Sequence, residues 1–263
     1  MRDATRRRVR NITTIVFSIT LSFALSACVG HAAKPDASAW NDARQLVLVT
    51  TADWDANQGE LRTFSRAGGG WRATRDVVPV TIGRAGSAWG LGLHAPQPGP
   101  QKREGDGRSP AGAFTLGTAF GYAGGVDTGL PYAAMRESDW CVDVVASPFY
   151  NRIVDTADVG QAAVVGASEP MRRDLHLQGD QRYKLGFVIE HNAQARPGAG
   201  SCIFSHLWKA PGESTTGCTA MTEPAMRTLL AWLDRRQRPV FVLLPKAEYA
   251  RLKTSWRLPD IDL

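Results

Sequence analysis

The chain runs to 263 residues, room for one large domain or two small ones. Its 43% apolar content supplies a packed core and excludes a disordered chain. The formal charge is +6, but five arginines against one aspartate fall within the first ten residues, so removing that stretch takes away four charges and leaves +2; a basic nucleic-acid-binding surface, which depends on many clustered phosphate contacts, is not expected.

Residues 2–10 are arginine-rich, and residues 12–25 form an apolar run diluted only by Thr and Ser. With Leu25-Ser26-Ala27-Cys28 at its end, the stretch reads as a secretory signal: a positive n-region, a short h-region and small residues before the cut. The run falls short of the about 20 apolar residues that a membrane span needs. The tetrapeptide resembles a bacterial lipobox. That resemblance implies a lipoprotein signal peptide over residues 1–27, cleavage before Cys28, and a lipid anchor on Cys28 that holds the protein to a membrane by more than one acyl chain. An ordinary cleaved signal with an incidental cysteine is the alternative. Val29, where an aspartate would signal retention, resembles the enterobacterial sorting pattern for the outer membrane. The expected location is the periplasm, anchored to the envelope. Residues 28–45 read as a flexible tether of Ala, Pro, Asp, Ser and Lys.

Residues 44–52 are short, β-branched and bounded by polar residues, which predicts a first strand. Residues 61–65 and 71–80 predict a hairpin around Gly68-Gly69-Gly70. Residues 82–93 are glycine-dense, marking close backbone approaches without a dinucleotide-binding context. Residues 94–114, with four prolines, read as a long loop. Residues 140–154 suggest a strand and a turn. Residues 169–176 suggest a short helix on which the adjacent Arg172 and Arg173 are solvated, one of them meeting a substrate carboxylate being the alternative. Residues 185–190 are a clear strand ending at His191-Asn192. Residues 202–208 are the next, with Cys202, Phe204, His206 and Trp208 on one face and Ile203, Ser205 and Leu207 on the other. Thr222 caps the best helix, expected over residues 222–237, with Met226, Leu229, Leu230 and Leu233 as its apolar stripe. Pro239 stops it, residues 240–244 are a final strand, and residues 245–263 are a tail with a short helix and an extended end. The closely spaced strands define a mainly β fold with few helices.

Cys141, Cys202 and Cys218 fall in the exported part, where disulfides form. Three is odd, so at least one thiol stays free or pairs with another chain. If Cys218 is the reactive one, Cys141 and Cys202 are available to pair; two buried, inert thiols are the alternative. No Cys-x-x-Cys or His-x-x-x-His spacing supports a metal site.

The chemistry gathers between Ser201 and Met221. His206 closes an apolar run, and a Thr215-Thr216-Gly217 turn leads into Cys218. A cysteine attacks as the thiolate. An adjacent imidazole can take its proton, and the helix start at Thr222 would favour negative charge nearby. Gly217 permits a sharp turn whose amides, with Thr216, could converge on a tetrahedral oxyanion. His191 and His176 are rival bases, and a buried thiol beside a helix cap is the bland reading of Cys218.

These residues resemble the YkuD-type L,D-transpeptidase family, in the branch with a Gly-Ser-x-Ile-Phe-x-His strand followed by Thr-x-Gly-Cys. Here they are Gly200-Ser201-Cys202-Ile203-Phe204-Ser205-His206 and Thr215-Thr216-Gly217-Cys218. The loop from Lys102 to Gly107, the stretch Ser109-Pro110-Ala111-Gly112-Ala113-Phe114, Ser147-Pro148-Phe149-Tyr150-Asn151 and Ile189-Glu190-His191-Asn192 also resemble that branch. The resemblance implies a YkuD-like catalytic fold over residues 46–244, with a helix following the nucleophile. It implies a peptidoglycan stem tetrapeptide as substrate: Cys218 attacks the carbonyl after the diamino-acid residue, His206 protonates the departing D-Ala, and an amine then takes the acyl group to give a 3–3 crosslink. No cofactor or metal is implied. A carboxypeptidase on the same scaffold, or a non-catalytic peptidoglycan-binding lipoprotein, are the alternatives. The sequence departs from the better-studied branch in Leu207 after the histidine and Thr219-Ala220-Met221 after the cysteine. No arginine is therefore placed for the stem carboxylate; Asn192 and Ser205 are the candidates for holding substrate.

Overall fold

The run from Gln45 to Thr51 is buried at every position, as a strand covered on both faces must be. This strand, β1 (Gln45–Thr51), belongs to a computed structural model that describes Met1 and residues 37–262. The expected signal peptide, Cys28 and most of the tether lie outside the described residues. After β1 the Asp53 carboxylate caps a turn by accepting the amides of Asp55 and Ala56. Then β2 (Gln58–Ala67) and β3 (Gly70–Ala73) form the hairpin, with Gly68 and Gly69 at positive φ. The second arm is shorter than expected, because residues 74–77 break away before β4 (Val78–Thr81) returns along β2.

Next come β5 (Ser87–Trp89), β6 (Ser109–Gly121), β7 (Tyr132–Ala134), β8 (Asp139–Cys141) and β9 (Ile153–Asp155). The short helix α1 (Thr156–Val159) leads to β10 (Glu169–Pro170) and α2 (Arg173–His176). The chain ends with β11 (Leu185–Ile189), β12 (Phe204–Leu207), β13 (Thr219–Met221), α3 (Glu223–Trp232), β14 (Val240–Pro245) and α4 (Lys246–Leu252).

Eight strands close on themselves in the order β1, β14, β6, β11, β12, β13, β4, β2 and back to β1. The pairs β1–β14 and β12–β13 are parallel and the remaining six antiparallel, so this is a mixed barrel without an open edge. Its interior is filled by residues such as Val47, Val49, Phe114, Phe187, Leu207 and Leu243. A separate antiparallel sheet of β10, β8 and β9 stands outside the barrel.

Three expectations need correction. Residues 109–114, assigned to a loop, open the longest strand of the barrel, β6. Pro110 sits in the part of β6 that pairs only with β5, and Gly112, at φ 133°, lies where a Cβ would strike the His94 ring. The helix after the nucleophile stops at Trp232, because Gln45 at the head of β1 takes the Trp232 carbonyl and the Asp234 amide on one side chain. The tail holds the expected short helix, α4, and is packed on the domain: Tyr249, Leu252, Trp256 and Leu258 are buried, and Trp256 stacks edge-on with Trp40 at 5.1 Å. The tether accordingly ends before Trp40, which is itself buried.

Candidate functional site

The parallel pairing of β12 with β13 sets the site. Ser205 is in register with Thr219 and His206 with Ala220, which places Cys218 opposite Phe204. Register partners share a face, so Phe204, His206, Cys218 and Ala220 all point to the outer side of the barrel wall. The alternate residues Ile203 and Leu207 join the barrel core. Cys202 is not part of the strand. Its φ of 54° turns the chain just before β12, held by the Asn151 side chain, which accepts the Cys202 amide. Cys202 is joined to Cys141 in a disulfide that ties β8 to the approach of β12, and Cys218 is a free thiol.

The sulfur of Cys218 accepts from the Phe204 amide at 3.3 Å and faces the Cys202 carbonyl at 3.5 Å. Burial first, and then the negative charge of Glu169, push its pKa up to about 12. His206 is 4% exposed. Its Nδ1 lies 2.7 Å from the Leu207 carbonyl, which can only accept, so the proton sits on Nδ1 and Nε2 keeps its lone pair. Burial pulls the imidazole pKa down to about 4. The resting pair is therefore thiol and neutral imidazole, not the ion pair expected, and no hydrogen bond joins them among the described residues.

The nucleophile turn is bolted from both sides. Thr215 Oγ1 accepts the Gly217 amide at 3.1 Å and donates to the Cys218 carbonyl at 2.6 Å. Ser109 Oγ, at the head of β6, donates to the Gly217 carbonyl and accepts the Gly83 amide. The Gly217 amide is thus already taken and is not an oxyanion donor. The amides of Thr216 and Cys218 receive no acceptor among the described residues. A Cβ at 217 would stand 3.2 Å from the Arg108 carbonyl and from Ile203, a tight fit that asks these neighbours to give by a few tenths of an ångström. The helix does not follow the cysteine directly: β13 intervenes and the cap is Thr222, so the α3 N-terminus is not at the sulfur.

A cleft of about 340 Å³ opens over the sulfur, lined among others by Arg84, Glu104, Asp143, Glu169, Arg173 and Thr216. Arg173 is buried at 7% exposure, contrary to the solvated position expected. It bonds Glu169 at 2.8 Å and Asp180 at 3.0 Å and lies over the Tyr183 ring. Arg172 turns aside to pair with Asp174. Tyr183 makes T-shaped contacts with both His206 and Phe204 and donates its hydroxyl to Glu169 at 2.6 Å. Glu104 holds the opposite wall, accepting from the Tyr150 and Ser201 hydroxyls.

The other candidates are structural. His191 accepts the Leu91 amide on Nδ1 and donates from Nε2 to the Ala199 carbonyl, leaving no free nitrogen. Asn192 spends its side chain on the Arg196 and Gly200 carbonyls and the Arg196 amide, and it lines a different cavity. Ser205 is wholly buried on the face opposite His206. His176 bonds the Glu137 carbonyl. Sequence reasoning missed Glu169 and Tyr183, which lie outside the matching stretches, and took Arg173 as solvated; Glu104 sat inside one of them.

No family model matches the chain, and no curated protein matches it. The solved structure of Bdellovibrio bacteriovorus Bd1075 is similar, with a TM-score of 0.38 and 13% identity over 82% of this chain and 55% of that one. The chain thus spans about half the length of that protein, and at this TM-score the likeness carries no argument about the site.

Proposed function

We propose that this protein is a cysteine acyltransferase of the L,D-transpeptidase type, on a YkuD-like fold, acting on peptidoglycan stem peptides from a lipid anchor at Cys28 in the periplasm, on the outer membrane. The observation that supports it is the pairing of β12 with β13, which sets a buried neutral imidazole on the same face as a free thiol that lines an open, charged cleft.

The resting state is unreactive by design of its environment. A thiol held near 12 and an imidazole held near 4 exchange a proton only when the negative charge of the sulfur is consumed in bond formation. As the peptide carbonyl arrives, the Cys218 proton passes to His206 Nε2 and the sulfur attacks. The Leu207 carbonyl, which holds Nδ1–H, stabilises the imidazolium that forms. The oxyanion meets the unbonded amides of Thr216 and Cys218. Collapse breaks the C–N bond, and His206 returns its proton to the leaving amine of D-Ala. An amine then replaces the sulfur.

Incubating the protein with disaccharide tetrapeptides and weighing the products tests this. Transfer gives crosslinked dimers with loss of D-Ala, and hydrolysis gives trimmed monomers. Unchanged substrate, with Cys218 unlabelled by carbapenems, would leave a binding lipoprotein.

A further inference from the structure

Glu169 lines the cleft of Cys218, and acylation as described leaves it without a task. Its two oxygens differ. Oε2 is anchored by the Tyr183 hydroxyl at 2.6 Å and Arg173 Nη1 at 2.8 Å. Oε1 accepts from no described residue and is not sealed from the cleft, the side chain being 20% exposed. Its charge reaches the nucleophile, since it is a cause of the raised Cys218 pKa. Asp143 and Glu104 line the same cleft, each held by hydroxyl groups and neither in a salt bridge among the described residues. The cations of the same lining are Arg84, Lys102, which is paired with Asp106, and Arg173, which is paired with Glu169 and Asp180.

The second half of acyl transfer needs a carboxylate of this kind. An alkyl amine, with a pKa of about 10, reaches a neutral site as the ammonium ion. It must lose one proton before it attacks and another afterwards, and one imidazole cannot hold both. We propose that Glu169, through Oε1, is the general base that takes the first proton from the acceptor ammonium. The inference rests on the acyl-transfer reading above. The ammonium gives one proton to Glu169, and the neutral amine attacks the thioester carbonyl, forming the C–N bond. His206 takes the second proton from that nitrogen. The C–S bond breaks and the sulfur receives the proton back from His206. Glu169 then releases its proton to water, so the step yields amide, thiol and one free proton.

The groups that face Glu169 suit this task. Burial raises its pKa, while Arg173 from α2, Tyr183 from the turn before β11 and, more weakly, Arg182 hold it down; Asp143 from beyond β8 adds to the rise. The net effect is a carboxyl raised above its ordinary value, the direction that strengthens it as a base.

The test uses the full chain, a stem tetrapeptide donor and two acceptors, an alkyl amine and hydroxylamine, which is uncharged at pH 7. Acylation is read as D-Ala release in a single turnover, and transfer as the new amide or hydroxamate. Glu169→Gln is expected to slow transfer to the alkyl amine about a hundredfold more than it slows acylation. Hydroxylamine is expected to rescue transfer, and the alkyl-amine deficit is expected to shrink as pH rises toward the amine's own pKa. Tyr183→Phe, which keeps the carboxyl but removes its anchor, is expected to show the same selectivity with a smaller loss. Equal losses with both acceptors, or equal losses in acylation and transfer, would overturn the proposal and leave Glu169 a support of the fold. A wild-type protein that never acylates Cys218 would instead sink the acyl-transfer reading, and the role of Glu169 with it.

Discussion

Removing the Cys141–Cys202 cross-link by the double change Cys141→Ala and Cys202→Ala is expected to cost stability and reactivity together. The bridge closes a loop with a sequence separation of 61. Loop-closure entropy for that length is about 14 cal/mol/K, or about 4 kcal/mol at 25 °C. With a urea slope of about 2–3 kcal/mol/M, the midpoint falls by about 1.5–2 M. The bridge also restrains Cys202, whose carbonyl faces the Cys218 sulfur and whose amide is held by Asn151. Its loss frees β8 and the acidic wall beyond it from the approach to β12. Urea unfolding followed by tryptophan fluorescence, with single-turnover acylation on the same samples, checks both. A midpoint shift below about 0.5 M would refute the entropy argument, showing that packing already restrains the loop in the unfolded reference state.

Other outcomes follow from the same geometry. His206 and His191 are both held neutral by burial, with folded-state pKa values of about 4 against an ordinary 6.5. Their contribution to stability is therefore complete above pH 6.5 and is lost as pH falls toward 4, so unfolding free energy is expected to drop across that window; a flat profile would contradict it. His206→Ala is expected to cut acylation of Cys218 by roughly 10²–10⁴ with folding intact. His191→Ala is expected to lower stability by about 1–3 kcal/mol, through the orphaned Leu91 amide and Ala199 carbonyl, while acylation survives at low temperature. The reverse order of damage would hand the base role to His191. Arg173→Met leaves Glu169 and Asp180 without their shared partner and is expected to cost about 3 kcal/mol, read as a melting-point fall of roughly 6–12 °C.

The sequence disclosed the elements whose chemistry is local. β1 and β14 are unbroken aliphatic runs, and Thr222 followed by a 3–4 apolar stripe marks α3. It concealed β6, because Pro110 and Gly112 are tolerated there for reasons set by distant partners: β5 alongside, and the His94 ring against the glycine. Cys218 and His206 stood out by their spacing to Gly217 and the apolar strand. Glu169 and Arg173 did not, since an i, i+4 pair of opposite charges looks like a solvated helix face, whereas Glu169 lies in β10 and is bonded by the distant Tyr183 hydroxyl. Asn192 and Ser205 misled for the opposite reason: polar residues beside histidines suggest a site, yet one serves a turn and the other faces the barrel interior.

The most direct measurement is the intact mass of the protein after brief exposure to a stem tetrapeptide, at acid quench. A thioester adduct on Cys218, equal to the donor less D-Ala, is predicted in the wild type and absent from Cys218→Ala. No adduct in the wild type, or an adduct that persists in Cys218→Ala, would contradict the account.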